Sequence, residues 1–94
     1  MKKGGEALTR NESFLLRNMA DSWVVVPVGA AAVDFPGMLT LNESGRYLWE
    51  LLEQPQTEQS LAEALTRRYE VTADQAADDV KKFLVPLLEI GAVK

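Results

Sequence analysis

The side chains able to do chemistry in this sequence are few and poorly placed for catalysis. There is no histidine and no cysteine. That removes the usual ligand sets for zinc, haem and iron–sulfur clusters. It also removes the thiolate nucleophile and the imidazole that most often activates a serine. Carboxylates are scattered at helical surface spacing except for Asp78-Asp79, and neighbours on a helix point about 100° apart. A carboxylate pair working as acid and base needs a cleft to hold it, and this chain has little to build one with. Ser44 stands in Glu43-Ser44-Gly45, not in the Asp-Ser-Leu context of an acyl-carrier attachment site. The expectation is a binding domain: no enzyme, no catalytic residue, no metal and no cofactor.

The elements that would position a binding surface are bounded first by size. Ninety-four residues, 47 % of them hydrophobic and 26 % charged, fit one globular domain with a single modest core. No apolar run approaches the roughly 20 residues that span a bilayer, so no membrane partner is expected. Met1-Lys2-Lys3-Gly4-Gly5-Glu6 has basic residues with no hydrophobic segment behind them, so a signal peptide is not expected. Without cysteine there is no disulfide framework, and a cytoplasmic location is the default. The formal charge of −4 and a pI near 4.7 argue against nucleic acid, whose binders carry a basic patch. Residues 1–56 and 57–94 each carry five basic and seven acidic side chains, so no basic half is hidden in the average.

The first half reads as strands. Phe14-Leu15-Leu16-Arg17-Asn18-Met19 ends at the turn Ala20-Asp21-Ser22. Trp23-Val24-Val25-Val26-Pro27-Val28 follows, β-branched and aromatic, with Pro27 marking an edge or bulge. A looser stretch, residues 29–37, leads to a short third strand, Met38-Leu39-Thr40-Leu41. The second half reads as three helices. Asn42 caps one over 43–53, with Tyr47, Leu48, Leu51 and Leu52 on its inner face and Trp49 off that stripe. Thr57 caps a second over 58–69, and Thr72-Ala73-Asp74-Gln75 is a capping box for a third over 73–90, stopped by Gly91. Trp23, Val25, Leu41, Leu48, Leu52, Leu61, Leu65, Val80, Phe83 and Leu87 are the expected core. Pro86 should kink or break the last helix near Leu84–Val85.

That last helix carries more apolar surface than one core needs. At about 100° per residue, Ile90, Phe83, Ala76, Leu87, Val80, Ala73, Leu84, Ala77 and Leu88 fill an arc of roughly 160°. A core-facing stripe takes roughly 100°. Either the helix is buried deeply or part of the arc lines an open groove. Strand 38–41 poses a similar choice. It is short and central, or it is an edge left without the Lys or Pro that usually guards one.

Three strands followed by three capped helices form a winged-helix-like α+β arrangement, with a three-stranded antiparallel sheet. The sequence also resembles the PqqD family of peptide chaperones, the recognition elements for ribosomally synthesised and modified peptides. The resemblance is carried by Phe14-Leu15-Leu16-Arg17, Trp23-Val24-Val25-Val26-Pro27-Val28-Gly29 and Gly37-Met38-Leu39-Thr40-Leu41-Asn42-Glu43-Ser44-Gly45. Leu48-Trp49-Glu50-Leu51-Leu52 and the Asp79-Val80, Phe83-Leu84, Leu87, Gly91-Ala92-Val93 spacing complete it. It covers residues 12–94 and leaves 1–11 as a flexible N-terminal segment. Pro86 departs from the charged or polar residue usual there.

The resemblance implies a non-catalytic chaperone that takes the leader region of a precursor peptide as an added strand. The peptide would lie between the third strand and the last helix and be presented to a modifying enzyme, often a radical SAM protein. Main-chain bonds then give affinity and side-chain pockets give specificity. The peptide-binding residues expected are Met38, Leu39, Thr40 and Leu41 on the strand. Ala77, Lys81, Leu84 and Leu88 are those expected on the helix. Proline at Leu39 or Thr40 should remove an outward N–H. Lys81 is either solvated or set to meet an acidic leader residue. A homodimer formed by exchanging the N-terminal strand is left open. The alternative class, a winged-helix domain for nucleic acid or protein interaction, lacks a basic recognition helix, since 72–91 offers Lys81 and Lys82 against Asp74, Asp78, Asp79 and Glu89.

Overall fold

A computed structural model describes residues 7–34 and 37–94. Its elements are β1 (Phe14–Met19), β2 (Ser22–Pro27), α1 (Ala31–Asp34), β3 (Leu39–Leu41), α2 (Glu43–Leu51), α3 (Glu58–Arg68) and α4 (Ala73–Glu89). The strands form one antiparallel sheet in the order β1-β2-β3, so β3 is an edge. β1 and β2 are joined by Ala20-Asp21, with Met19 opposite Ser22. Ala20 takes a positive φ of 56°, as the tight primed turns that suit strand twist require at their first central residue. The sequence pattern missed α1, a single turn after Gly29 that is too short for a helical period to register.

Each longer helix starts on a side-chain cap. Asn42 accepts from the Gly45 N–H (2.8 Å). Gly45 also lets α2 start tight against β3, because a Cβ there would come within 3.1 Å of Asn42 Oδ1 and 3.4 Å of Leu41 Cβ. Thr57 and Ser60 cap each other reciprocally at α3. Thr72 accepts from the Gln75 N–H (3.1 Å), but the Gln75 side chain turns outward to Asp79 (2.9 Å), so the expected box is only half made. At the far end of α4, Gly91 has φ 82°. The Ala92 N–H then reaches the Leu87 carbonyl and the Gly91 N–H that of Leu88, the paired bonds of a Schellman stop.

Pro86 does not break α4, which runs from Ala73 to Glu89. The ring costs the Lys82 carbonyl its partner, while Leu84 and Leu87 on either side are sunk in the core. Burial of a leucine is worth about 1.5–3 kcal/mol, enough to hold the last turn in place.

Val25, Leu41, Leu48, Leu52, Leu61, Leu65, Val80, Phe83 and Leu87 are all buried, as expected. Trp23 is the exception. It is only partly buried, packed on the core's margin with the Arg46 guanidinium 5.1 Å from its ring centre. Trp49, expected at the core's edge, is instead a core residue at 1 % exposure. The cover comes from the two ends of the chain. Thr9 and Lys94 exchange main-chain bonds (2.8 and 2.9 Å), and the Asn11 N–H meets the Ala92 carbonyl (2.8 Å). Leu8 bridges to Gln56 and Arg10 to Val93. The packed body therefore reaches back to Leu8, before the boundary expected at residue 12. Residues 1–6 of that expected N-terminal segment lie outside the described residues.

Candidate functional site

The hydrogen-bond parity of the sheet decides which main-chain groups are free. Val28 donates to the Ser13 carbonyl directly across the hairpin (2.8 Å), so these two form a hydrogen-bonded pair. Antiparallel ladders alternate such pairs. With the observed register, Leu15–Val26, Arg17–Val24 and Met19–Ser22 therefore carry the β1–β2 bonds. The N–H and C=O groups of Trp23 and Val25 turn the other way, toward Leu41 and Leu39 of β3. Pro27, next in that series, has no N–H to offer, and there the pairing stops.

Thr40, opposite Val24, accordingly points both main-chain groups away from the sheet. It is the residue on β3 whose N–H and C=O face outward from the sheet edge. Leu39 is different, since its N–H belongs to the bond with Val25. The expectation that proline at either position removes an outward donor holds for Thr40 and fails for Leu39. Side chains alternate accordingly: Leu41 is buried, Leu39 packs against the same core, and Thr40 is exposed. Met38, just before the strand, is 52 % exposed.

On α4 the surplus apolar arc resolves into two parts. Phe83, Ala76, Leu87, Val80 and Leu84 are buried, which accounts for about 100° of helix circumference. Beyond Leu84 the arc continues onto Ala77 and Leu88, both exposed, Leu88 at 43 %, and then onto Lys81. Ala77, Lys81 and Leu88 thus form one exposed stripe at the core's border. Leu84, expected in that wall, is 2 % exposed and backs the stripe from inside, where it shares the core cluster with Leu41. Among the described residues Lys81 makes no ion pair, while its neighbour Lys82 is held by Asp78 (3.0 Å). That contact raises the Lys82 pKa, first through the hydrogen bond and then through the carboxylate's charge.

A cleft of about 480 Å³ lies elsewhere, along β1, the opposite edge of the sheet. Arg10, Asn11, Glu12, Phe14, Leu15, Leu16, Arg17 and Trp49 line it. Nothing in the sequence pattern marked it, because Trp49 and Arg10 meet only through the pairing of the two chain ends. Among the described residues no group of His, Cys, Asp or Glu could hold a metal ion, and no helix is long and apolar enough to cross a membrane.

The open three-stranded sheet followed by capped helices defines a winged-helix-like α+β domain whose sheet, among the described residues, has an unpaired strand edge on each side. The chain belongs to the PqqD family: residues 22–93 match coenzyme PQQ synthesis protein D (PqqD). Two solved structures share its fold at a TM-score of 0.71 each. One is TbiB1 in complex with the TbiA(beta) leader peptide, at 17 % identity over 92 % of this chain and 94 % of that one. The other is lasso peptide synthetase B1 complexed with the leader peptide, at 18 % identity over 93 % and 96 %. No curated protein matches the chain in sequence.

Proposed function

We propose that this protein binds the leader region of a ribosomally synthesised precursor peptide as a fourth strand on β3 and presents it to a separate modifying enzyme. The observation that carries this reading is Thr40, whose main-chain donor and acceptor point outward from an edge strand. The two similar structures, each in complex with a leader peptide, support it. Main-chain bonds at Thr40 give sequence-tolerant affinity, and Leu39 and Leu41 root the strand in the core. On α4, Ala77 leaves room for a leader side chain, Leu88 supplies apolar contact and Lys81 receives an acidic residue. Leu84 holds that wall in place.

In this reading the domain performs no catalysis. It raises the concentration of the precursor at the enzyme by tethering. The enzyme is a radical SAM protein and the setting is the cytoplasm. Where two copies associate, they exchange the N-terminal segment, since a second copy can offer residues 92–94 the same bonds that Thr9 and Asn11 now make.

The test is an NMR titration of the labelled chain with the leader of the precursor encoded beside it. Backbone amides at 38–41 and 77–88 should shift. Ala77→Trp should abolish the shifts while the protein stays folded, because the indole fills the space the leader needs. Substitution at Asp79, about 160° away around the helix, should leave binding unchanged. Shifts confined to 57–69 would overturn the assignment.

A further inference from the structure

The β1 edge has the same parity logic as β3, and more shape. Leu15, Arg17 and Met19 spend their main-chain groups on β2, so those of Leu16 and Asn18 point out of the sheet's other side. The cleft wraps this edge. It takes Phe14 and Leu16 from the core-facing side of β1 and Leu15 and Arg17 from the outer face, with Trp49 and Arg10 behind. Leu15 and Met19, on the outer face of the same strand, are 40 % and 49 % exposed, so the edge offers apolar side chains beside its outward main-chain groups.

Charge narrows the occupant. Arg10 and Arg17 set two positive charges against the single carboxylate of Glu12 in the cleft lining, in a chain whose net charge is −4. The edge is cationic on an anionic molecule. A second copy would bring the same local excess of arginine to the contact, which disfavours self-pairing.

We propose that β1 is a second docking edge, taking an extended protein segment that alternates apolar and acidic residues and pairs with the main chain of Leu16 and Asn18. Its acidic side chains meet Arg17 on the outer face, and an apolar one on its other face enters the cleft over Leu16, where Arg10 and Trp49 lie. With a strand added at each edge, the sheet brings two chains to opposite sides of one rigid body. That is the geometry needed to hold a partner protein and a peptide together without competition. Docking at β1 rests on that edge alone, and only the joint holding of partner and peptide rests on the leader reading at β3.

The probe is an end-blocked synthetic octapeptide of alternating Val and Glu, with a Val and Lys version as control. Each is titrated into the labelled full chain and followed by amide NMR. The acidic peptide should shift the amides of Leu16 and Asn18 and the Trp49 indole, and the basic one should shift none of them. Arg17→Glu, at an exposed position, should weaken binding by at least about tenfold, the loss of one charge-assisted contact. Asn18→Pro should do likewise, because its N–H faces away from β2 and an edge strand tolerates proline there. Shifts confined to 38–42, equal binding of the basic peptide, or β1 amides that change with protein concentration in the absence of peptide would each overturn the proposal. The last would assign the edge to a second copy.

Discussion

The Arg10 guanidinium lies 5.5 Å from the centre of the Trp49 ring and closes the N-terminal segment over the largest side chain of the core. The contact joins residues far apart in sequence, and the bridge from Arg10 to Val93 adds the C-terminus to the same point. A cation over a desolvated aromatic face is worth about 0.5–2 kcal/mol. Arg10→Ala should therefore lower unfolding free energy by about that much in a denaturant melt. Arg17→Ala, on an exposed strand position, should stay within about 0.5 kcal/mol. Equal effects would mean that Arg10 is only a surface charge.

Thr40 and Leu39 separate binding from stability. Thr40→Pro removes an outward N–H and should weaken leader binding while the melt moves little. Leu39→Pro removes a ladder donor to Val25 and a core contact, and should cost about 3 kcal/mol or more of stability. Calorimetric titration and a denaturant melt on the two variants check this. Identical behaviour of the pair would refute the strand parity.

The buried and exposed parts of the α4 arc should differ in the same way. Leu87→Ala and Leu65→Ala each remove a fully enclosed side chain and should cost about 2–5 kcal/mol. Leu88→Ala, on the exposed stripe, should cost less than about 1 kcal/mol and appear in leader affinity instead. A melt showing under about 1 kcal/mol for both core variants would place the helix faces wrongly.

Ala20 holds a positive φ that L-residues other than Asn and Asp rarely adopt. Ala20→Gly should relieve that strain and raise stability by about 0.5–1 kcal/mol, net of the entropy glycine adds to the unfolded chain. A lower midpoint in the melt would show that the turn has no strain to relieve.

Leader affinity and stability should both be flat between pH 6 and 8. The chain has no His or Cys, the side-chain types that ordinarily titrate closest to neutrality. Lys82 is raised further by Asp78. A group raised on folding contributes below its ordinary value and loses that contribution as pH rises through the folded one, so Lys82 matters only under strongly alkaline conditions. A midpoint that moves across pH 6–8 would point to the α-amino group, which ordinarily titrates at about pH 8, rather than to Lys82.

How much of this was legible from the residues alone follows from range. Strand and helix bounds came out within about two residues because they rest on local physics. Asn42, Thr57 and Thr72 cap whatever helix follows them, Gly91 adopts a φ few other residues can, and alternation or 3.6-residue spacing repeats within one element. The absence of catalytic and metal chemistry was an expectation of the same kind, drawn from residue types. The width of the α4 arc posed a choice between deep burial and an open border, and periodicity could not make it.

The tertiary structure decided everything that depends on distant partners. Trp49 looked peripheral by helical angle and is central, because residues 8–11 and 91–94 meet over it. Leu84 and Leu88 have the same residue type on the same arc, yet one is enclosed and the other open, since the width of the packed face is set by what lies against the helix. Thr40 and Leu39 differ only in the parity of bonds that begin at Ser13 and Val28. The β1 cleft had no signature at all. Caps and periods are short-range and can be read along a chain, whereas burial and strand parity belong to pairs of residues that only folding brings together.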